Sequence, residues 1–184
     1  DPACGTGGFL TEVFRTLRDA FAVSKPNDKA AHEFLTKECI YGFDVQDSNV
    51  GRAKINMFLV GDGHTHIQRK DSLGDIALLK EDNDLGFDYV VANPPYGQGE
   101  TSFPIGDAGT TKRKELAFLA RIVDLMKIGG KACVIVPDGV LENYSFSHIR
   151  KSFLAQVHLD AVVSLPVHAF APYTKEKTFA LFFT

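Results

Sequence analysis

Short apolar runs alternate with stretches of helical spacing along this chain, and no other feature limits its possible folds so sharply. After the turn Gly5-Thr6-Gly7-Gly8, Phe9, Leu10, Val13, Leu17 and Phe21 recur at three- and four-residue steps, as on one buried helix face. Pro26-Asn27-Asp28 interrupt the pattern, and residues 30–36 read as a further helical turn or two. Residues 39–43 form a short apolar run that ends at Asp44 and suits a buried strand. Helical spacing returns over 50–60, and 66–69 read as a short strand before Asp71-Ser72. Residues 87–92, Phe-Asp-Tyr-Val-Val-Ala, form a clear strand, and the Gly-, Ser- and Thr-rich stretch 98–111 reads as a loop. A helix is expected over 115–128, stopped by Gly129-Gly130, then a strand over 131–136 and a turn at Pro137-Asp138-Gly139. A helix over 147–155, a strand over 157–165, a loop over 166–177 and a last strand over 179–183 complete the series. Strands alternating with helices give an α/β class with a mostly parallel, twisted sheet and helices on both faces.

The 184 residues suit a single domain, and 45% hydrophobic with 23% charged residues exclude a chain that is mainly disordered. No run of about 18 apolar residues is present, which excludes a membrane span. The formal charge is −3, with 20 Lys+Arg against 23 Asp+Glu, so the chain lacks the basic excess of a self-sufficient nucleic-acid binder. Cys4, Cys39 and Cys133 are odd in number and far apart, which supports neither a disulfide framework nor a cysteine zinc site. Reduced thiols fit a cytoplasmic protein. The chain opens on Asp1 without an initiator Met, and a glycine-rich turn normally follows a buried strand. The expectation is a piece of a larger protein that lacks its first strand.

In a sheet of this kind ligands sit beyond the carboxyl ends of the strands, and three sequence features fall there. Gly5-Thr6-Gly7-Gly8 lets the chain turn tightly and lets a ligand approach the next helix N-terminus, although such turns also serve close packing alone. Asp44 ends a strand, where a carboxylate can accept both hydroxyls of a ribose; the alternative is a cap for the following helix. Asn93-Pro94-Pro95-Tyr96 directly follows the strand 87–92. Two prolines fix the backbone and remove two N–H donors, leaving carbonyls and the Asn93 amide oxygen to accept from an NH₂ group beside an aromatic ring. The alternative is a plain turn.

Asp1-Pro2-Ala3-Cys4-Gly5-Thr6-Gly7-Gly8 followed by Asn93-Pro94-Pro95-Tyr96 resembles the signature pair of amino-methyltransferases. Gly42-Phe43-Asp44, Asp71-Ser72-Leu73, Glu115-Leu116-Ala117-Phe118-Leu119, Val136-Pro137-Asp138-Gly139-Val140-Leu141 and Phe170-Ala171-Pro172-Tyr173-Thr174 then appear in order. Together they resemble the methylation subunit of type I restriction–modification systems, an N6-adenine DNA methyltransferase family. The resemblance implies a Rossmann-like, S-adenosylmethionine-dependent methyltransferase fold. It implies that Asp1 and the Ala3, Cys4, Gly5, Thr6, Gly7, Gly8 turn hold the methionine part of S-adenosylmethionine, that Asp44 holds its ribose with Val45 beside the adenine, and that Asp71 with Ser72 reaches the adenine amino group. It implies that Asn93 and the Pro94 carbonyl, in the turn completed by Pro95, hold the target N6 amine, with Tyr96 stacked on a flipped base and Phe170 over its other side. DNA, a specificity subunit and a restriction subunit are the implied partners. A protein glutamine or RNA amino-methyltransferase, or a non-catalytic module of a restriction complex, are the competing functions.

The remaining features point elsewhere. His64-Thr65-His66 has metal-like spacing but no evident third ligand, so a loop role and no metal are expected. Lys112-Arg113-Lys114 reads as a solvated helix start that can also touch phosphate. Ser72, Ser145 and Ser147 lack the G-x-S-x-G setting of a hydrolase. Cys4 in its turn suits a small filler.

Overall fold

The computed structural model describes every residue except 62, 64, 65, 84 and 171–174. His64 and Thr65 of the His-Thr-His triplet, and four residues of the Phe-Ala-Pro-Tyr-Thr segment, therefore lie outside the described residues. The chain divides into two compact units, Asp1–Asp82 and Asn83–Thr184.

The first unit carries α1 (Gly8–Ser24), α2 (Lys29–Lys37), β1 (Tyr41–Asp44), α3 (Asp47–Val60), β2 (His66–Arg69) and the short α4 (Ile76–Lys80). Asp28 ends the break after α1 by capping α2: its carboxylate accepts the Ala31 N–H at 2.9 Å. β1 and β2 run parallel, from Tyr41 opposite His66 to Asp44 opposite Arg69. The backbone of Asp1 and Cys4 lies along β1, with the Phe43 N–H donating to Asp1 O and the Cys4 N–H to Phe43 O, both at 2.9 Å. Leu10 and Phe14 from α1, Leu35 from α2, Val50, Ala53 and Met57 from α3, and Ile67 from β2 form the core. The α1 face expected from the spacing holds in part: Leu10 is buried and Val13, Leu17 and Phe21 pack against this core, but Phe9 is exposed and Phe14, outside the expected set, takes the centre.

The second unit carries β3 (Phe87–Ala92), β4 (Gln98–Pro104), β5 (Thr110–Arg113), α5 (Lys114–Leu125), β6 (Met126–Pro137), α6 (Asp138–Glu142), a 3-10 turn (Tyr144–Phe146), α7 (Ser147–Leu154), β7 (Leu159–Ser164) and β8 (Thr178–Phe183). Its four-stranded sheet has the order β3-β6-β8-β7. β3 and β6 are parallel, while β8 runs antiparallel to both β6 and β7. Val90 and Ala92, Ala132, Val134 and Val136, and Leu181 and Phe183 alternate onto one face. There they meet Leu116, Leu119 and Ile122 of α5 and Val140 of α6, with Ile149 and Phe153 of α7 beside them. The Phe153 ring meets the Phe183 ring edge-on, 5.0 Å between centroids.

Three local expectations change. Residues 98–111 are not a plain loop: β4 and β5 form an antiparallel hairpin, with Gln98 opposite Arg113 and Pro104 opposite Thr110. Phe103, Ile105 and Thr111 are buried there, and the Arg121 guanidinium lies 4.9 Å above the Phe103 ring. The glycines and hydroxyls mask this pattern, because only two apolar side chains anchor it. Pro137-Asp138-Gly139 does not stay a turn but starts α6, with Asp138 in the first turn, where a carboxylate favours the helix dipole.

The third change concerns Gly129-Gly130. α5 stops at Leu125 and β6 begins at once, so the two glycines lie inside a strand rather than ending a helix. Phe87 pairs with Met126 but Tyr89 with Lys131, which makes this stretch of β6 a bulge against β3. Gly129 takes φ +78°, and a Cβ on Gly130 would stand 2.9 Å from the Phe87 carbonyl oxygen and 3.0 Å from that of Lys127. Both are backbone atoms that cannot rotate away. Gly130→Ala is expected to cost about 1–3 kcal/mol, the range for overpacking. Urea unfolding followed by circular dichroism measures it, and an unchanged midpoint would mean that the bulge relaxes freely.

Candidate functional site

The turn before α1 is shaped by its own backbone and by α3. Gly5 and Gly7 take φ of +54° and +82°, and the Gly7 N–H closes the turn on Cys4 O at 2.8 Å. A Cβ on Gly7 would press on Ala53 of α3 at 3.2 Å, so position 7 needs glycine for both its angle and its closeness. Gly7 stands at the N-cap of α1, and no side chain caps that helix end. The first-turn N–H groups are therefore open to an anionic or polar ligand. Thr6 and Gly8 are exposed. Cys4 is buried, and burial pushes its thiol up to about 11. It stays neutral near pH 7 and fills space.

Asp44 faces this turn. Its Oδ2 accepts the Gly5 N–H at 3.0 Å, while Oδ1 accepts the Gln46 N–H at 2.9 Å and the Asn49 amide at 3.2 Å. It is not the N-cap of α3; Gln46 occupies that position. Val45 beside it is 54% exposed, an apolar side chain open to a flat ligand. Asp1 folds onto its own turn, with its Oδ1 accepting the Ala3 N–H at 2.9 Å. Asp71 is exposed and its Oδ1 accepts the Leu73 N–H. Ser72 differs in kind: it is buried, and its hydroxyl donates to Pro2 O at 2.6 Å. Its side chain thus secures the segment that leads into the glycine turn.

Two residues of this group escape a reading of the sequence. Asn49 donates to Asp44, and Asn56 donates to Thr6 O at 2.9 Å. With Ala53 between them they occupy positions i, i+4 and i+7 of α3, one stripe facing the turn. That spacing of two amides around a small residue is the available signal.

In the second unit, Asn93 follows the last residue of β3. Asn93 and Pro95 are exposed, Pro94 is buried and Tyr96 is half-buried. The Tyr96 hydroxyl donates to Asn93 Oδ1 at 3.0 Å. With the hydroxyl donating, one of the two lone pairs of Oδ1 is left for another donor. Burial, then the Glu176 and Glu115 carboxylates, push the Tyr96 phenol up to about 12, so it remains a donor at ordinary pH. Phe170 is half-buried. Lys112-Arg113-Lys114 is not a uniform basic patch: Lys112 is exposed, whereas Arg113 pairs with Glu115 at 2.7 Å. Among the described residues no cluster of three His, Cys, Asp or Glu could hold a metal, and no helix is long and apolar enough to cross a membrane.

A sequence model of the N-6 DNA methylase family matches residues 1–184. The chain belongs to the N-6 DNA methylase family. It is 33% identical over 190 residues to the methylase subunit of the type I restriction enzyme EcoEI of Escherichia coli, covering 100% of this chain and 37% of that subunit. Among solved structures, a chain from a type I R-M system superposes with a TM-score of 0.80 at 31% identity, covering 100% of this chain and 37% of the other. The crystal structure of the type I restriction enzyme EcoKI M protein gives 0.76 at 28% identity, covering 100% and 38%. The chain thus spans well under half the length of these relatives. Its fold is the α/β, Rossmann-like fold of the family's methyltransferases, and the two units fall within one family match.

Proposed function

We propose that this chain is the catalytic part of an adenine-specific DNA methyltransferase, the methylation subunit of a type I restriction–modification system. It moves a methyl group from S-adenosylmethionine to the N6 amine of adenine. The observation that carries this reading is the Asn93–Tyr96 turn. An exposed amide whose oxygen accepts the Tyr96 hydroxyl follows a strand and precedes two residues that have no N–H. Family membership and the names of the relatives support it. In this reading the two units are the halves of a single catalytic domain covering 1–184.

The residues of the first unit fit S-adenosylmethionine. The open α1 N-terminus, Asp1 and the Ala3–Gly8 turn suit its methionine part, Val45 and Asp71 its adenine, and Asp44 its ribose. Ser72 acts indirectly, through Pro2. When bound, the cofactor supplies a methyl group on a positively charged sulfonium. The Asp44 carboxylate already accepts three donors of the roughly four it can take. Asp44 would accept a ribose hydroxyl pair by releasing the longest of these bonds, that from the Asn49 amide.

The second unit acts on the acceptor. The adenine N6 lone pair is conjugated with the purine ring and attacks poorly. Asn93 Oδ1 and the Pro94 carbonyl each accept one N–H of the amine, which favours a pyramidal nitrogen with its lone pair turned out of the ring. Holding that lone pair in line with the methyl carbon supplies much of the remaining rate. The new N–C bond would form as the sulfonium's S–CH₃ bond breaks, the electron pair of that bond returning to sulfur to leave a neutral thioether, and the nitrogen would give up one proton to solvent. The base must leave the duplex, and stacking on Tyr96, with Phe170 opposite, offsets part of that cost at about 1–3 kcal/mol per base. With a formal charge of −3 the chain is a poor reader of DNA by itself. A separate specificity subunit selects the sequence, a restriction subunit completes the assembly, and the complex works in the cytoplasm.

Two predictions follow from this division of roles. Asp44→Ala weakens S-adenosylmethionine binding by more than about tenfold, as expected when charge-assisted bonds to two hydroxyls are lost, whereas Asn49→Ala leaves affinity within about threefold. Calorimetry on the full-length protein checks both, and equal losses would make the Asp44 effect a general collapse of the turn. For the acceptor side, Asn93→Ala abolishes transfer to adenine-containing DNA while cofactor affinity holds. Tyr96→Phe, which keeps the ring but frees the amide, lowers kcat by about three- to tenfold, one hydrogen bond's worth. Steady-state methyl transfer with the partner subunits present reads both. Substantial turnover by Asn93→Ala would return the turn to a structural role. Transfer to protein or RNA in place of DNA would favour the competing amino-methyltransferases.

A further inference from the structure

The segment Glu115-Leu116-Ala117-Phe118-Leu119 has no assigned task, yet its first residue is the most buried charge described. Glu115 is 0% exposed. Its Oε2 accepts the Gly97 N–H at 2.8 Å, and its Oε1 accepts Nε of Arg113 at 2.8 Å and Nη2 at 2.7 Å. The Gly97 carbonyl in turn accepts the Lys114 N–H at 2.8 Å. Gly97 is thus tied through both its backbone groups to the start of α5. It takes φ +102°, an angle that costs any other residue, while a Cβ there would meet nothing within 4 Å.

We infer that Glu115, paired with and oriented by Arg113, is a positioning residue that sets the Asn93–Tyr96 turn for the target base. The inference rests on the reading that this turn holds adenine. The prolines explain the need. Pro94 and Pro95 offer no N–H, so the turn cannot be secured by its own middle. The first backbone donor after Tyr96 is that of Gly97, and Glu115 takes it. An unpaired carboxylate at such depth would be costly, and the Arg113 fork with the helix N-terminus makes it tolerable. The β4–β5 hairpin acquires a purpose as well: pairing Gln98 with Arg113 returns the chain to the place it left, so that α5 begins beside Gly97. The Glu115 charge also helps to hold the Tyr96 phenol neutral and donating.

The test uses the full-length methylase with its partner subunits and three variants: Glu115→Gln, Gly97→Ala and Asn93→Ala. Glu115→Gln turns an amide NH₂ toward either Gly97 or Arg113, where only an acceptor fits. Gly97→Ala strains the same turn from an open position, without touching the core. Both are expected to lower kcat by about tenfold, with S-adenosylmethionine affinity and KM for DNA within about twofold. Both should also reduce the fluorescence rise of 2-aminopurine placed at the target adenine, which reports residence of the extruded base. Wild-type kcat in both variants, with Asn93→Ala inactive, would overturn the positioning role and leave the adenine reading standing. An active Asn93→Ala would overturn that reading and this inference with it. If Glu115→Gln loses cofactor affinity and melting temperature together, Gly97→Ala decides alone, and a wild-type kcat there rejects the inference.

Discussion

Asn93 Oδ1 accepts the Tyr96 hydroxyl at 3.0 Å, and the chemistry proposed for this chain depends on the direction which that bond imposes. An amide free to rotate presents oxygen or NH₂ to an incoming amine with little preference. With Tyr96 donating, the oxygen is fixed and one lone pair stays available. The bond holds because the phenol keeps its proton, raised to about 12 by burial and nearby carboxylates. It also holds because the residues between its two partners are prolines. A rigid pair spans the gap from Asn93 to Tyr96, and the chain beyond is tied at Gly97.

The first unit secures its glycine turn by a different route. There the turn is grasped from outside, by Asp44 on Gly5, by Asn56 on Thr6 and by Ser72 on Pro2. None of these bonds uses the first-turn N–H groups of α1, which remain uncapped by any side chain. A rigid frame around open donors is what a polar ligand needs, because the frame bears the ordering cost before binding.

Much of this was legible in the sequence. The helix face of α3, part of that of α1 and the strand 87–92 follow from apolar spacing, and the turns at Gly5–Gly8 and Asn93–Tyr96 follow from their glycines and prolines. Family membership followed from several short segments in fixed order. The failures share a cause, in that the deciding contact was remote in sequence. Gly129-Gly130 carries a helix-stop signal, yet the backbone of β3 makes it a bulge. The hairpin at 98–113 has a loop's composition and is held by Phe103, Ile105 and Arg121. The bond from the Ser72 hydroxyl to Pro2 O, 70 residues away, likewise has no local signal. Glu115 reads as an ordinary first-turn acid until Gly97 and Arg113 stand beside it.

The identity of the methylated atom tests the account most directly. The full-length protein, its partner subunits and duplex DNA would be incubated with methyl-labelled S-adenosylmethionine, and the DNA digested to nucleosides and chromatographed. The account predicts label in N6-methyldeoxyadenosine alone, because an amide and a carbonyl beside a stacking ring suit an exocyclic amine and the N-6 DNA methylase match points to that of adenine. Label in a methylated cytosine, or in protein with the DNA unlabelled, would contradict it.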